Sequence, residues 1–212
     1  MFSARYRLRF CGTPLALVPG VGDDATMTLV QAAQRKVTYT DLESWPDDGR
    51  RYELYDGEVY VCPAPFPRHQ IATQELFSHL RQYALRTGGL ALMSPIDIVF
   101  DLFNVLQPDI AFFQAARRHH VSLDKVTRVP PDVVVEVISP GTAKNDLGRK
   151  KATFARFGVP EYWLLDPHVE RLERYSLAKG AYRRTLSVAS GEDFRSDVLD
   201  GFACAIASLF PW

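Results

Sequence analysis

Two charged residues interrupt segments that are otherwise apolar, and they are the first candidates for chemistry in this chain. Glu136 lies in the run Asp132–Ile138, whose composition predicts a strand covered on both faces of a sheet. An unpaired carboxylate would be costly there, so we expect a cation beside it. Lys150 lies in a predicted helix over Asn145–Gly158 and, at about 100° per residue, falls within about 30° of the centre of its apolar side. The sequence therefore predicts that Lys150 points inward.

A third candidate, Asp109, follows Pro108 at the start of another apolar segment, which places a carboxylate at a strand end. Hydrolysis of a phosphodiester needs a divalent cation that neutralises the phosphate and activates a water, and Mg²⁺ prefers carboxylate oxygens. A nearby lysine can orient or deprotonate that water and stabilise charge on the phosphate. Asp109, Glu136 and Lys150 fit these three roles.

Residue types alone leave other interpretations open. Glu136 and Lys150 could form a buried ion pair with a purely structural role, and Asp109 could merely begin a strand. Asp132, which follows Pro131, is a rival carboxylate. Four residues along one strand would place it about 13 Å from Glu136, too far to share an ion. We therefore prefer Asp109 as the second ligand.

The surrounding pattern predicts the elements that position these residues. Asp56-Gly57 separates two short strands and is typical of a hairpin turn. The strand of Glu136, the helix of Lys150 and the next strand form a strand-helix-strand passage, which predicts a parallel pair. The predicted helices are 39–45, 71–84, 145–158 and 202–210, and the predicted strands are 52–55, 58–61, 96–100, 109–113, 132–138, 162–165, 169–176 and 182–188.

These elements predict one mixed α/β domain with a central sheet flanked by helices. Thr40 or Asp41 would cap the first helix. In the second helix, which ends at Gly88-Gly89, the predicted apolar face is formed by Ile71, Phe77, Leu80 and Ala84.

Composition limits the class of protein. The 212 residues suffice for one well-buried domain, and 25 basic residues equal 25 acidic ones, so no overall charge draws the chain to nucleic acid or a membrane. No segment approaches the roughly eighteen apolar residues that span a bilayer. Cys11, Cys62 and Cys204 lack metal-ligand spacing, which favours reduced thiols in a cytoplasmic protein. We expect residues 1–26 to be a disordered extension, and Met27 could begin the domain, which covers residues 27–212.

Several motifs occur in a fixed order between about residues 30 and 210. They are Arg51–Leu54 with Asp56–Glu58, Pro65–Gln70, Pro108-Asp109, Pro131–Pro140, Asp146 with Lys150, and Gly158–Trp163. Together they resemble the Uma family of restriction endonuclease-like proteins, which belongs to the PD-(D/E)XK nuclease superfamily. The resemblance implies a restriction-endonuclease-like central mixed sheet and a site that binds Mg²⁺ or a similar ion such as Mn²⁺. It also implies that Asp109 and Glu136 are the metal carboxylates and Lys150 the catalytic lysine.

The chain departs from the general superfamily pattern at one position. The lysine is usually two residues after the second acid, where this chain has Ile138, and the inward-facing Lys150 offers a replacement. Glu53 and His69 also match family positions and are auxiliary candidates, one as a further carboxylate near the metal and the other to orient water or phosphate. Alternatively, Glu53 is a half-exposed residue paired with an arginine such as Arg51, and His69 is a capping or solvated histidine.

The sequence and the resemblance together favour a Mg²⁺-dependent DNA endonuclease, with a homodimer as a weaker expectation. The basic segments Arg117–His120 and Arg183-Arg184 are candidates for contact with the DNA backbone. Two alternatives stay open. One is a catalytically inactive nuclease-like module for DNA binding or assembly, and the other is a metal-dependent nucleotide phosphohydrolase.

Overall fold

A computed structural model describes residues 9–10, 36–139 and 146–212. Within these ranges the helices are α1 Tyr39–Glu43, α2 Pro67–Thr87, α3 Ala115–Arg118 and α4 Lys151–Arg156, with a π-helical turn at Asp146–Lys150 and a 3-10 helix at Ile206–Leu209. The strands are β1 Arg9–Phe10, β2 Arg51–Tyr55, β3 Glu58–Cys62, β4 Leu90–Met93, β5 Ile98–Asp101, β6 Asn104–Leu106, β7 Ile110–Phe113, β8 Val133–Val137, β9 Glu161–Asp166, β10 Arg171–Ala178, β11 Ala181–Ala189, β12 Asp193–Arg195 and β13 Ala203–Ala205.

The central sheet has six strands in the order β11-β10-β9-β8-β7-β4. β8 and β9 are parallel, whereas the other neighbouring pairs are antiparallel. The predicted strand-helix-strand passage is therefore confirmed. All five residues of β8 are buried, as expected for an apolar strand covered on both faces. A mixed central sheet flanked by helices agrees with the predicted fold class.

The predicted hairpin is confirmed, but it belongs to a second sheet of order β1-β3-β2-β6-β5. Asp56 and Gly57 have φ angles of 51° and 80°, the left-handed values that a tight two-residue turn requires. Tyr55 and Tyr60 of this sheet share a core cluster with Val134 of β8. One face of the second sheet therefore covers the central sheet.

Helix α2 covers the other face of the central sheet. Leu76 and Leu80 pack in one cluster with Val133 and Val135, whose side chains alternate with Val134 across the sheet. The helix ends at Gly88, in the left-handed conformation typical of a helix cap. The predicted apolar face was wrong at Ile71, which is exposed, whereas its small neighbours Ala72 and Thr73 are buried. The buried residues of α2 are His69, Ala72, Thr73, Leu76, Leu80, Tyr83 and Ala84.

Several predicted boundaries were wrong. Thr38, rather than Thr40 or Asp41, caps α1, because its hydroxyl accepts from the N–H of Asp41 while the Asp41 carboxylate accepts from the N–H of Thr38. The segment 202–210 forms β13 and a 3-10 helix instead of one helix. The helix of Lys150 begins with a π-helical turn, and its predicted cap Asn145 lies outside the described residues.

The predicted extension over residues 1–26 also lies outside the described residues, apart from Arg9–Phe10, which pair in parallel with β3. Cys204 is buried, and burial raises the pKa of its thiol to about 12. In the described ranges, no helix is both long enough and apolar enough to cross a membrane.

Candidate active site

Lys150 lies buried between carboxylates from the two sheets. Its ammonium is 2.8 Å from Oε1 of Glu136 on β8 and 3.0 Å from Oε1 of Glu53 on β2. It also donates to the backbone carbonyl of Gln107 at 2.9 Å. Lys150 is 5% exposed, Glu136 2% and Glu53 1%. The predicted inward direction of Lys150 is therefore confirmed.

The side chains of Lys150 and of its basic neighbours Arg149 and Lys151 point in different directions. Arg149 donates to Oε2 of Glu58 at the surface. The ammonium of Lys151 lies 3.1 Å from the centre of the Tyr175 ring. Three consecutive basic residues thus point to three different surroundings, and Lys150 is the one that enters the space between the sheets.

Glu53 shares a face of β2 with Tyr55, and this face packs towards the central sheet. Its Oε2 accepts from the Tyr55 hydroxyl at 2.7 Å, and its Oε1 accepts from the N–H of Gln107 at 2.8 Å. The alternative that Glu53 is half-exposed and paired with Arg51 is wrong. The guanidinium of Arg51 instead donates to Oγ of Ser94 and to the carbonyl of Pro63, each at 3.0 Å.

Asp109 directly precedes β7. The antiparallel register pairs Ile110 with Val135, and extending it by one residue in each segment would pair Asp109 with Glu136. Opposite residues share one face of the sheet, with Cβ atoms about 4.5–5.5 Å apart. Oδ2 of Asp109 also accepts from the N–H of Val137 at 2.8 Å. Asp109 therefore contacts the end of β8, the strand that carries Glu136.

His69 reaches Asp109 from the first turn of α2, with its Nε2 3.1 Å from Oδ2 of the aspartate. Thr73 donates from its hydroxyl to the backbone carbonyl of His69 at 2.7 Å. His69 is buried, so the solvated alternative is wrong. Burial by itself raises the pKa of Asp109. The hydrogen bond and charge of His69, the charge of Lys150 and the N–H of Val137 outweigh this effect and hold the pKa below its ordinary value. Asp109 is therefore ionised at neutral pH.

The link between β6 and β7 supplies contacts that sequence reasoning missed. Gln107 connects Glu53 and Lys150 through its own backbone N–H and carbonyl. Its side-chain amide donates to Oδ1 of Asp97 at 2.6 Å. Burial raises the pKa of Asp97, this hydrogen bond partly offsets the effect, and the charge of Glu53 raises the pKa further. Because any residue type offers backbone groups, no motif could have identified Gln107.

A cavity of about 260 Å³ opens beside Asp109. Its wall includes His69 and Thr73 of α2, and Arg51 of β2. Of the described site residues, Asp109 and His69 line the cavity, whereas Glu53, Glu136 and Lys150 do not. The cavity therefore gives access to one edge of a site whose other charged groups are enclosed.

The rival carboxylate and the basic segments have structural partners. Asp132 accepts from Nη1 of Arg117 at 3.0 Å and from the N–H of Gln114 at 2.8 Å. Arg117 therefore binds the residue that precedes β8. Arg184 donates to Oε1 of Glu173 at 2.6 Å. Contact of either basic segment with DNA stays a prediction.

The candidate ligands are compatible in type with a hard cation. Within the described ranges, no three side chains of His, Cys, Asp or Glu converge as a metal-ligand set. Mg²⁺ commonly uses only one or two carboxylates and takes its remaining ligands from water and substrate phosphate. Asp109, bound to the end of β8, and Glu136 within β8 are two carboxylates of this kind.

Comparison with known proteins identifies the family of the chain. The sequence matches the Uma2 family, described as "Putative restriction endonuclease", over residues 39–207. The chain belongs to the Uma2 family. The matched range contains Asp109, Glu136 and Lys150, and it confirms the resemblance drawn from the motifs.

The Uma2 fold is also found in a solved structure, that of a "putative nuclease belonging to DUF820" from Anabaena variabilis. The TM-score is 0.68 over 82% of this chain and 97% of the other, and the sequence identity is 17%. At that identity the similarity shows the fold alone. No curated protein sequence matches the chain.

Proposed function

We propose that this chain is a metal-dependent DNA endonuclease that hydrolyses phosphodiester bonds. The observation that carries the proposal is the buried site itself, where Glu53 and Glu136 contact Lys150 and Asp109 is bound to the end of β8. Carboxylate oxygens are the ligands that Mg²⁺ prefers, so the acids of this site suit a divalent cation. Membership in the Uma2 family supports a nuclease.

Asp109 and Glu136 would hold the cation, which we expect to be Mg²⁺ or Mn²⁺. When bound, such an ion neutralises charge on the phosphate and activates a water. Among the described contacts of the Asp109 side chain, His69 and the N–H of Val137 both meet Oδ2, which leaves Oδ1 for a ligand. His69 thus acts as a positioning residue that keeps the aspartate ionised and directed.

Lys150 would assist the attacking water and stabilise charge on the phosphate. Its three N–H donors have acceptors in Glu53, Glu136 and the carbonyl of Gln107, which fix the ammonium beside Glu136. A cation that is already fixed needs no rearrangement when charge develops during the reaction. Glu53 contributes by holding Lys150 in place.

Cleavage of plasmid DNA with millimolar Mg²⁺ or Mn²⁺ tests this function. Lys150→Ala should lower the rate by about 10²–10⁴-fold, the range for loss of a positioned acid or base. Lys151→Ala is the matched control, and it should retain activity because Lys151 lies over Tyr175. Absence of cleavage by the wild-type protein, or undiminished cleavage by Lys150→Ala, would contradict the proposal.

A second candidate is a nuclease-like binding module without catalysis. It is favoured by the three acceptors that Lys150 already has, because such a site could be purely structural. Calorimetric titration with Mg²⁺ separates the two. The endonuclease should bind Mg²⁺ and lose this binding in Asp109→Asn. The structural module should show no heat of Mg²⁺ binding. Nucleotide substrates assayed in parallel would detect a phosphohydrolase.

A further inference from the structure

The cavity beside Asp109 has an aromatic residue at its edge that the proposed chemistry does not use. Phe66 immediately precedes α2 and is 67% exposed. Pro65, which precedes it in the chain, and His69 and Gln70, which follow it in α2, all line the cavity. Phe66 is therefore an exposed aromatic residue next to the cavity wall.

The same cavity carries a positive group suited to phosphate. Arg51 is half-buried in the wall, and its bonds to Ser94 and Pro63 use two of its five N–H groups. Other N–H groups of this guanidinium can meet a phosphate oxygen, a pairing that Arg geometry favours. An aromatic ring and an arginine thus flank the approach to Asp109.

The depth of the site restricts which phosphates can reach it. Glu53, Glu136 and Lys150 are each at most 5% exposed, and the cavity beside Asp109 offers a phosphate a route to the site. A volume of about 260 Å³ is below the usual range for small-molecule pockets and suits one nucleotide rather than paired strands. A base taken from a duplex must first be unstacked and unpaired, which costs a few kcal/mol, whereas an unpaired strand avoids that cost.

We propose that the preferred substrate is an unpaired DNA strand, whose phosphate lies beside Arg51 and Asp109 while an adjacent base stacks on Phe66. Aromatic side chains bind single strands in this way because every base has a stacking face. The cleavage step rests on the proposed function. The binding step does not, since stacking and the arginine contact require no metal.

Binding without divalent ions tests the stacking step by itself. Fluorescence of 2-aminopurine in a single-stranded oligonucleotide would report stacking and affinity, with the matching duplex measured in parallel. The wild-type protein should bind the single strand more tightly than the duplex. Phe66→Ala should weaken single-strand binding about 5- to 150-fold, the range for loss of one stacked base. Leu85→Ala is the matched control, because Leu85 is 71% exposed near the other end of α2 and should have no effect.

Cleavage assays with Mg²⁺ complete the test. They also distinguish a failure of this inference from a failure of the proposed function. Single strands should be cut faster than the duplex, and Phe66→Ala should remove that preference while its thermal unfolding stays that of the wild type. Duplex binding as tight as single-strand binding, or equal single-strand binding by wild type and Phe66→Ala, would overturn the inference. A protein that binds single strands through Phe66 and cuts nothing would support this inference and reject the catalytic function.

Discussion

Two buried glutamates on neighbouring parallel strands have opposite surroundings. Glu161 begins β9 and is 0% exposed, and Glu136 lies near the end of β8 and is 2% exposed. Nε of Arg174 lies 4.0 Å from Oε1 of Glu161, but the hydrogen bonds to this carboxylate come from four neutral donors. They are Nε1 of Trp163 and Oγ of Ser196, each at 2.7 Å, and the N–H groups of Asp197 and Val198, at 2.8 and 3.0 Å.

Glu136 instead shares the ammonium of Lys150 with Glu53. A carboxylate bound by several neutral donors holds chain segments together. Buried charged groups that share a charged partner are found at functional sites as well as in structural ion pairs. Burial therefore does not distinguish a structural acid from a functional one.

The largest expected difference between the two glutamates is in catalysis. Glu136→Gln should lower the rate of DNA cleavage by about 100-fold or more, because the charge that holds the cation is lost. Glu161→Gln, corrected for the fraction of folded protein, should cut at the wild-type rate. Plasmid nicking by both variants under identical conditions measures this contrast. Equal rates for the two variants would remove the distinction between the glutamates.

Stability should respond in the opposite order. In Glu161→Gln an amide NH₂ replaces one acceptor oxygen, and each donor left without an acceptor costs roughly 1–3 kcal/mol. Glu136→Gln should cost less, because Lys150 keeps Glu53 and the carbonyl of Gln107 as acceptors. Urea unfolding of the two variants gives both free energies. If Glu136→Gln lost more stability than Glu161→Gln, Glu136 would have the larger structural role of the two glutamates.

The contrast also shows which residues of the candidate site could be predicted from the sequence. Glu136 and Lys150 could be identified because each breaks a local apolar pattern, and β8, α4 and β9 follow one another in the chain. The contact between Glu53 and Lys150 depends on how the second sheet packs against the first, for which no local pattern exists. Gln107 acts through its backbone, and the short strands β4 and β6 are too brief to show a period.

Stabilisation by Mg²⁺ tests whether the acidic cluster is a cation site. An ion at about 100 times its Kd should add about 2.7 kcal/mol to the free energy of unfolding. Thermal unfolding with and without Mg²⁺ should show this increase in the wild type and lose it in Asp109→Asn. Asp132→Asn is the matched control, because Asp132 also begins an apolar strand but is bound by Arg117 and Gln114. An equal loss in both variants would argue against a specific site.

The smallest expected effect is a gain in stability from Asp97, the acid that extends the cluster through Gln107. Burial raises its pKa, and Glu53 adds to the rise. The folded protein therefore holds this proton more tightly than the unfolded chain, and its stability falls as the pH rises from the unfolded pKa through the folded one. Asp97→Asn removes this loss, while the amide oxygen can still accept from Gln107.

Urea unfolding at two pH values measures the effect of Asp97→Asn. The variant should be more stable than the wild type near neutral pH. The gain should vanish below about pH 3, where Asp97 is protonated in both the folded and unfolded states. Neutralising Glu161 should destabilise the protein at neutral pH, so the two substitutions should have opposite signs. Destabilisation by Asp97→Asn at neutral pH would show that Asp97 behaves like Glu161.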